Sequence, residues 1–216
     1  MYIPSANRIA DKTRINSFIQ SHGFATVVTH NDGQLWASHL PVLLDEANEG
    51  HGILRSHMAR ANEQWRHFES GQEVLCIFHG PHSYISPSSY VMQETVPTWN
   101  YAVVHVYGMA RVVADEAVLR QIVTDTTAKY ESHRPTPWKI TLPDAALAAM
   151  LNAIVGFTIQ ITRIEAKFKL GQNRSQADQS GMLRDLQASP NRGSQELASF
   201  ISAQNVPAKT EVNKND

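Results

Sequence analysis

The chain has 216 residues, enough for one sizeable domain that buries a core, and its 42% hydrophobic and 18% charged residues exclude a disordered chain. Nineteen Lys and Arg against twenty Asp and Glu leave a formal charge of −1, which disfavours a nucleic-acid binder that works by bulk charge. A single cysteine, Cys76, rules out an intrachain disulfide and a Cys-rich zinc module.

In chain order, the start Met1-Tyr2-Ile3-Pro4 lacks an apolar signal core, and no run reaches the roughly 18 apolar residues of a spanning helix, so the expected setting is cytoplasmic with no membrane partner. Asp11 is placed to cap a helix ending near His22, with Ile15, Phe18 and Ile19 on one face and Gly23 as its stop. Phe24 to Thr29 predicts a strand, and Asn31-Asp32-Gly33 a hairpin turn, because these residues tolerate positive φ. Gln34 to Leu44 reads as the return strand and Gly52 to His57 as the next. Ala61 to Glu69 predicts a short helix, and Val74 to Phe78 a buried strand.

From His79 to Tyr101 the periodicity fails and prolines, glycines and serines predict one long irregular segment, of the kind that carries function. Val103 to Val113 resumes as a strand, with a bulge expected at Gly108. Asp115 caps a helix from Glu116 to Lys129, and Pro143-Asp144 opens another to Leu151. Phe157 to Phe168 alternates as a last strand, and Ser175 to Gln187 and Gln195 to Gln204 are helical in pattern. Residues 1–204 are read as one domain and 205–216 as a frayed tail. The element order predicts an α+β, mainly β protein: a small antiparallel barrel that carries inserted and C-terminal helices.

All ten histidines lie between His22 and His133, yet His79-x-x-His82 has no carboxylate or cysteine at a metal spacing, so no metal site is assigned. Cys76 sits inside Val74-Leu75-Cys76-Ile77-Phe78, which predicts an inert core thiol. With no Walker loop and no Gly-x-Gly-x-x-Gly, phosphate binding would have to use donors at strand ends. Two such concentrations occur. Ser38-His39 and Ser56-His57-Met58-Ala59-Arg60-Ala61-Asn62 form the first, in which Arg60 offers a planar fork or, on the plainer reading, Arg60 and Asn62 solvate and cap a helix. Lys167-Phe168-Lys169-Leu170-Gly171-Gln172-Asn173-Arg174 is the second, within a stretch Arg163 to Arg184 that holds five positive and two negative residues.

These two segments, with Gly80-Pro81-His82-x-Tyr84-Ile85-Ser86-Pro87 and Val96-Pro97-Thr98-Trp99-Asn100-Tyr101, closely resemble the PaiB family, whose members are called FMN-binding negative transcriptional regulators. Met1-Tyr2-x-Pro4 and Ser38-His39-Leu40-Pro41 fit as well, so the resemblance spans Met1 to Leu186. Glu63 stands where the family usually has proline, Ser89 where it has tryptophan, and Gly171 where it has serine. The resemblance implies a Greek-key-like split β-barrel, related to pyridoxamine-phosphate oxidases and flavin reductases, that forms a homodimer with FMN between subunits. It further implies cofactor contacts from Ser38, His39, Leu40, His57, Met58, Arg60 and Asn62. The partner subunit would add Lys169, Gln172, Asn173 and Arg174. Trp99, Asn100 and Tyr101 would lie near the isoalloxazine ring.

Three functions follow from that resemblance. The first is a homodimeric FMN-binding repressor; DNA is a possible partner, although no helix-turn-helix stands out and the alanine-rich stretch Asp144 to Leu151 holds no basic residue. The second is an FMN-dependent oxidoreductase of the pyridoxamine-phosphate-oxidase or flavin-reductase type, with His82, Tyr84 and His105 as possible proton donors and no substrate specified. The third is a haem-binding split barrel, for which no particular histidine is singled out as axial ligand.

Overall fold

A two-residue strand, β1 (Arg8–Ile9), precedes α1 (Lys12–Ser21), whose Ile15, Phe18 and Ile19 are buried together, as their i, i+3, i+4 spacing requires. The computed structural model describes residues 1–92 and 94–204, so the tail expected over 205–216 lies outside them. After Gly23 come β2 (Phe24–Asn31) and β3 (Gln34–Pro41), joined by the expected hairpin. Asn31 pairs with Gln34 across Asp32 (φ 49°) and Gly33 (φ 78°), both left-handed, and this two-residue turn matches the twist of the flanking strands.

The return strand is shorter than its composition suggests. It breaks at Val42, whose N–H bonds Gly23 O at 2.7 Å, and β4 (Leu43–Asp45) then starts separately and pairs with β5 (Ile53–Ala59). The helix expected over Ala61–Glu69 is instead a 3₁₀ segment, Glu63–Ser70. Asn62 opens it by accepting the Gln64 N–H, and Gly71 ends it in the left-handed conformation. Its Gln64 is fully buried and donates to Val27 O at 3.0 Å and Thr29 Oγ1 at 3.1 Å, which ties the segment to β2.

The largest departure concerns the segment His79–Tyr101. β6 (Glu73–Ile85) runs on through Gly80-Pro81, and β7 (Thr98–Val112) begins five residues before the expected start, leaving only 86–92 and 94–97 irregular among the described residues, around a short turn at Pro87–Ser89. Proline misled the pattern because it cannot donate within a ladder, but the β2 ladder ends at Ile77, so Pro81 has no bond to lose on that side. α2 (Glu116–Glu131) is capped by Asp115, which accepts the Ala117 N–H, and α3 (Asp144–Asn152) follows Pro143. β8 (Ile154–Lys169) is longer than predicted at its start. α4 (Gln176–Ala188), capped by Ser175, and α5 (Arg192–Ala203), capped by Asn191, close the described chain.

The strands form one antiparallel sheet in the order β3-β2-β6-β7-β8-β5-β4, with β1 pairing β8. Gly108 serves a close approach: a Cβ there would collide with Gln160 O and come within 2.6 Å of Ile159 Cγ2. The chain groups into two compact units. The first comprises Met1–Asp11, His79–Val103 and the described residues from Glu165 onward; the second comprises Lys12–Phe78 and Val104–Ile164. In the second unit Phe18, Val27, Leu54, Phe78, Val104, Phe157 and Ile159 fill the core, and Leu119, Leu147 and Leu151 pack α2 to α3. Arg55 on β5 clamps Asp45 on β4, at 2.7 Å from Nη2, and Asp125 on α2, at 2.8 Å from Nη1. In the first unit Ile85, Phe168, Leu170, Met182, Leu186 and Leu197 are buried, and the Phe168 and Phe200 rings meet edge to face at 5.2 Å.

Cys76 is fully buried in the second unit, and burial pushes its thiol up to about 12. Ellman's reagent at pH 8 is therefore expected to leave the native thiol unlabelled and to titrate one thiol once the chain is denatured. Rapid labelling of the native protein would contradict this placement.

Candidate functional site

The residues anticipated from the sequence fall into two groups, one in each compact unit. In the second unit, Ser38 on β3 accepts a hydrogen bond from Asn62 Nδ2 at 2.7 Å, while Asn62 Oδ1 caps the 3₁₀ segment. One asparagine thus fixes a strand hydroxyl and a turn at once. His39 shares a hydrogen bond of 3.1 Å with Thr26 Oγ1 and stacks on Phe24, and Leu40 is half-buried beside it on β3. His57 on β5 is half-buried, its Nδ1 has no hydrogen-bond partner among the described residues, and burial lowers its pKa, so the ring stays neutral. Met58 alternates to the other face of β5, and its side chain lies in the core.

Arg60 sits differently from the fork that sequence reasoning pictured. Its Nε donates to Asn152 O at 2.7 Å and its Nη2 to Ile154 O at 2.8 Å, and its backbone N–H bonds Ala153 O. The C-terminal carbonyls of a helix have no partners within it, and a guanidinium answers both their hydrogen bonding and their negative dipole end. The fork is engaged at the end of α3, a contact 92 residues away in sequence that no local pattern reveals.

In the first unit, β7 presents Trp99, 54% exposed, with the rings of His82 and Tyr84 at 6.3 and 6.2 Å from β6. Alternation turns Asn100 inward, where it is 1% exposed and donates Nδ2 to Met182 Sδ at 3.1 Å, so its side chain serves the core. Tyr101 faces outward again, half-buried, with Lys167 Nζ 5.1 Å from its ring centroid. Lys169 donates to Thr98 Oγ1 and, at 2.9 Å, to Trp99 O. Burial lowers the Lys169 pKa, and the charges of Lys167 and Arg174 lower it further against the opposing effect of Tyr101.

Gly171, at φ 87°, turns the chain after β8. Gln172 stitches that turn by donating to Phe168 O and accepting the Leu170 N–H at 2.8 Å, and Asn173 is exposed. Arg174 donates Nη2 to Thr95 Oγ1 at 2.8 Å and lies 4.4 Å over the Tyr90 ring. Sequence reasoning missed Asp178, which is buried and accepts the N–H of Val91 at 2.8 Å and of Met92 at 3.2 Å. Burial alone would raise its pKa, but those N–H groups, Ser175 and Arg174 bring it net below the usual carboxylate range. The signal was present as Ser175-x-x-Asp178, a capping box, although a box does not say that the carboxylate turns to another segment.

The first unit offers exposed aromatic surface and cations, and the second a half-buried neutral imidazole beside the Ser38–Asn62 pair; each by itself is chemistry that a planar or an anionic ligand can use. Among solved structures, the flavocytochrome Anf3 of Azotobacter vinelandii shares 13% identity at a TM-score of 0.59, over 76% of this chain and 69% of its own. An FAD and heme binding protein of Mycobacterium smegmatis shares 14% at 0.59, over 76% and 74%. The sheet and its helices therefore have the fold of the flavin-binding split barrels.

Residues 1–163 match the family described as "Putative FMN-binding domain". The Bacillus subtilis protein named "Protease synthase and sporulation protein PAI 2" is 38% identical over 203 residues, which is 93% of this chain and 96% of that one. The chain belongs to the PaiB family of FMN-binding-domain proteins. No helix among the described residues is long and apolar enough to cross a membrane.

Proposed function

We propose that this protein binds FMN as a homodimer and acts as a negative regulator of transcription. The observation that carries the reading is the near full-length similarity to the Bacillus subtilis protein, together with the FMN-binding-domain match over residues 1–163. The donor chemistry of the second unit fits the cofactor: His57 Nδ1 is buried without a partner among the described residues, and Ser38 and Asn62 form a polar pair. His57 and Asn62 are the groups that would hold the phosphate there, and the neutral imidazole donates from one ring nitrogen whichever tautomer it adopts. Arg60 is held on backbone carbonyls and is not needed for that task. In the first unit, the exposed Trp99 indole offers a face on which a planar ring can stack. FMN, when bound, supplies hydride and one-electron chemistry.

The test is made on purified full-length chain. FMN is expected to quench on binding and to saturate at one flavin per protomer, and sedimentation is expected to give a dimer. A promoter fragment is expected to shift at about 150 mM salt, where non-specific phosphate contacts weaken strongly. His57→Gln is expected to weaken FMN more than riboflavin, because the lost contact is to phosphate. A monomer without flavin affinity would overturn the reading, and NADPH oxidation above a flavin-only control, with no DNA shift, would replace the regulator by an oxidoreductase.

A further inference from the structure

Only residues 60–62 join the end of β5 to the 3₁₀ segment, and the first of them is fastened from both sides. The last ladder pair of β5 is Ala59 with Ile154 of β8, and Arg60 continues the hold past it. Its N–H, Nε and Nη2 donate to the carbonyls of Ala153, Asn152 and Ile154, at 2.8, 2.7 and 2.8 Å, so one residue holds three successive carbonyls where α3 passes into β8. Its own carbonyl accepts the Trp65 Nε1–H at 3.1 Å, from within the 3₁₀ segment. Backbone and side chain are thus tied at once, which leaves the turn little freedom to rotate.

Two residues on, the Asn62 N–H bonds Ala59 O at 2.9 Å and closes the turn. Both ends of the Asn62 amide are then engaged: Oδ1 accepts the Gln64 N–H at 3.2 Å, and Nδ2 donates to Ser38 Oγ at 2.7 Å. Nδ2 has a second hydrogen, and the Ser38 hydroxyl, which accepts from Asn62, keeps its own hydrogen to donate. Neither has an acceptor among the described residues. Two donor hydrogens on one bonded pair can serve a single ligand, provided the pair keeps its geometry. A pair already ordered before binding holds that ligand more tightly than one that must be ordered by it.

We infer that Arg60 is a positioning residue, which orders the turn that brings Asn62 onto Ser38 and itself touches no ligand. The resemblance to the PaiB family implied that Arg60 is a cofactor contact, whereas its fork is turned to the junction of α3 and β8. The inference rests on the reading that Asn62 holds the FMN phosphate. Arg60→Lys separates the two roles, because it keeps the positive charge and loses the planar fork.

The experiment combines hydrogen exchange on the ligand-free full-length chain with FMN and riboflavin titrations. The variants are Arg60→Gln, Arg60→Lys, Asn62→Ala and the double variant Arg60→Gln with Asn62→Ala. The Gln64 amide, bonded to Asn62 Oδ1, is expected to exchange about tenfold faster in both Arg60 variants than in wild type. FMN is expected to bind about tenfold more weakly to each single variant and no more weakly to the double one, with riboflavin unchanged, because Arg60 acts through Asn62. Should the Arg60 variants unfold, Trp65→Phe, which removes the bond to the Arg60 carbonyl, decides by the same two readouts with changes of about threefold. Wild-type exchange of the Gln64 amide in folded Arg60→Gln, FMN affinity restored by Arg60→Lys, or losses that multiply in the double variant overturn the inference and return Arg60 to the phosphate. Failure to bind flavin, or FMN affinity untouched by Asn62→Ala, sinks the flavin reading instead, and the exchange comparison still decides whether Arg60 orders the turn.

Discussion

Phe157→Ala is expected to destabilise the protein by about 4 kcal/mol, which at this chain length lowers the thermal midpoint by roughly 8–16 °C. Phe157 is fully buried on β8, opposite Ser56 of β5, and its ring lies 5.0 Å from that of Phe68 in the 3₁₀ segment. Truncation removes a phenyl group that joins the strand to the segment carrying Asn62 and Gln64, and the strands around it cannot collapse to fill the gap without breaking ladder bonds. Denaturant unfolding followed by circular dichroism measures the loss. A midpoint within 2 °C of wild type would show that the ring is not packed as described. Phe157→Leu keeps much of the volume and is expected to lose less than half as much.

Asp178→Ala is expected to cost about 2–3 kcal/mol and to release the segment after Tyr90 to proteolysis. The carboxylate accepts two backbone N–H groups, from Val91 and Met92, and no other described side chain is bonded to those amides. Its pH dependence follows from the depressed folded pKa. The unfolded carboxyl titrates near 3.9, so this stabilisation is fully present above about pH 4 and is lost as pH falls through the lower folded value. Wild type should therefore lose stability more steeply than Asp178→Asn below about pH 4, while the two run parallel between pH 5 and 7. Parallel curves through pH 3 would refute the assignment.

The candidate site shows how far local pattern reaches. Asn62 as a cap and Ser175 as the start of α4 were legible, because capping depends on two or three neighbouring residues. Arg60 was legible as a donor but not as to its target, since its acceptors lie at the end of α3 and the start of β8. Met58 and Asn100 belong to recognisable strings, yet alternation along β5 and β7 turns both side chains into the core. A motif marks a segment, whereas the pleat decides which of its residues meet a ligand. Lys167 was visible as a charge and invisible as a buried one.

Composition, turn chemistry and apolar spacing by themselves determined the α+β class, the Asp32-Gly33 hairpin, the cap of α2, the start of α4 and the inert Cys76, because each depends on nearest neighbours or on the demand that apolar faces be covered. Only the tertiary structure decided that β6 passes through Pro81, that Arg60 closes a helix end and that Lys167 is buried against the rings of Tyr2 and Tyr101. The physical reason is the same in each case: proline tolerance, helix-end satisfaction and lysine burial depend on which distant segment lies alongside, and that partner has no fixed spacing along the chain.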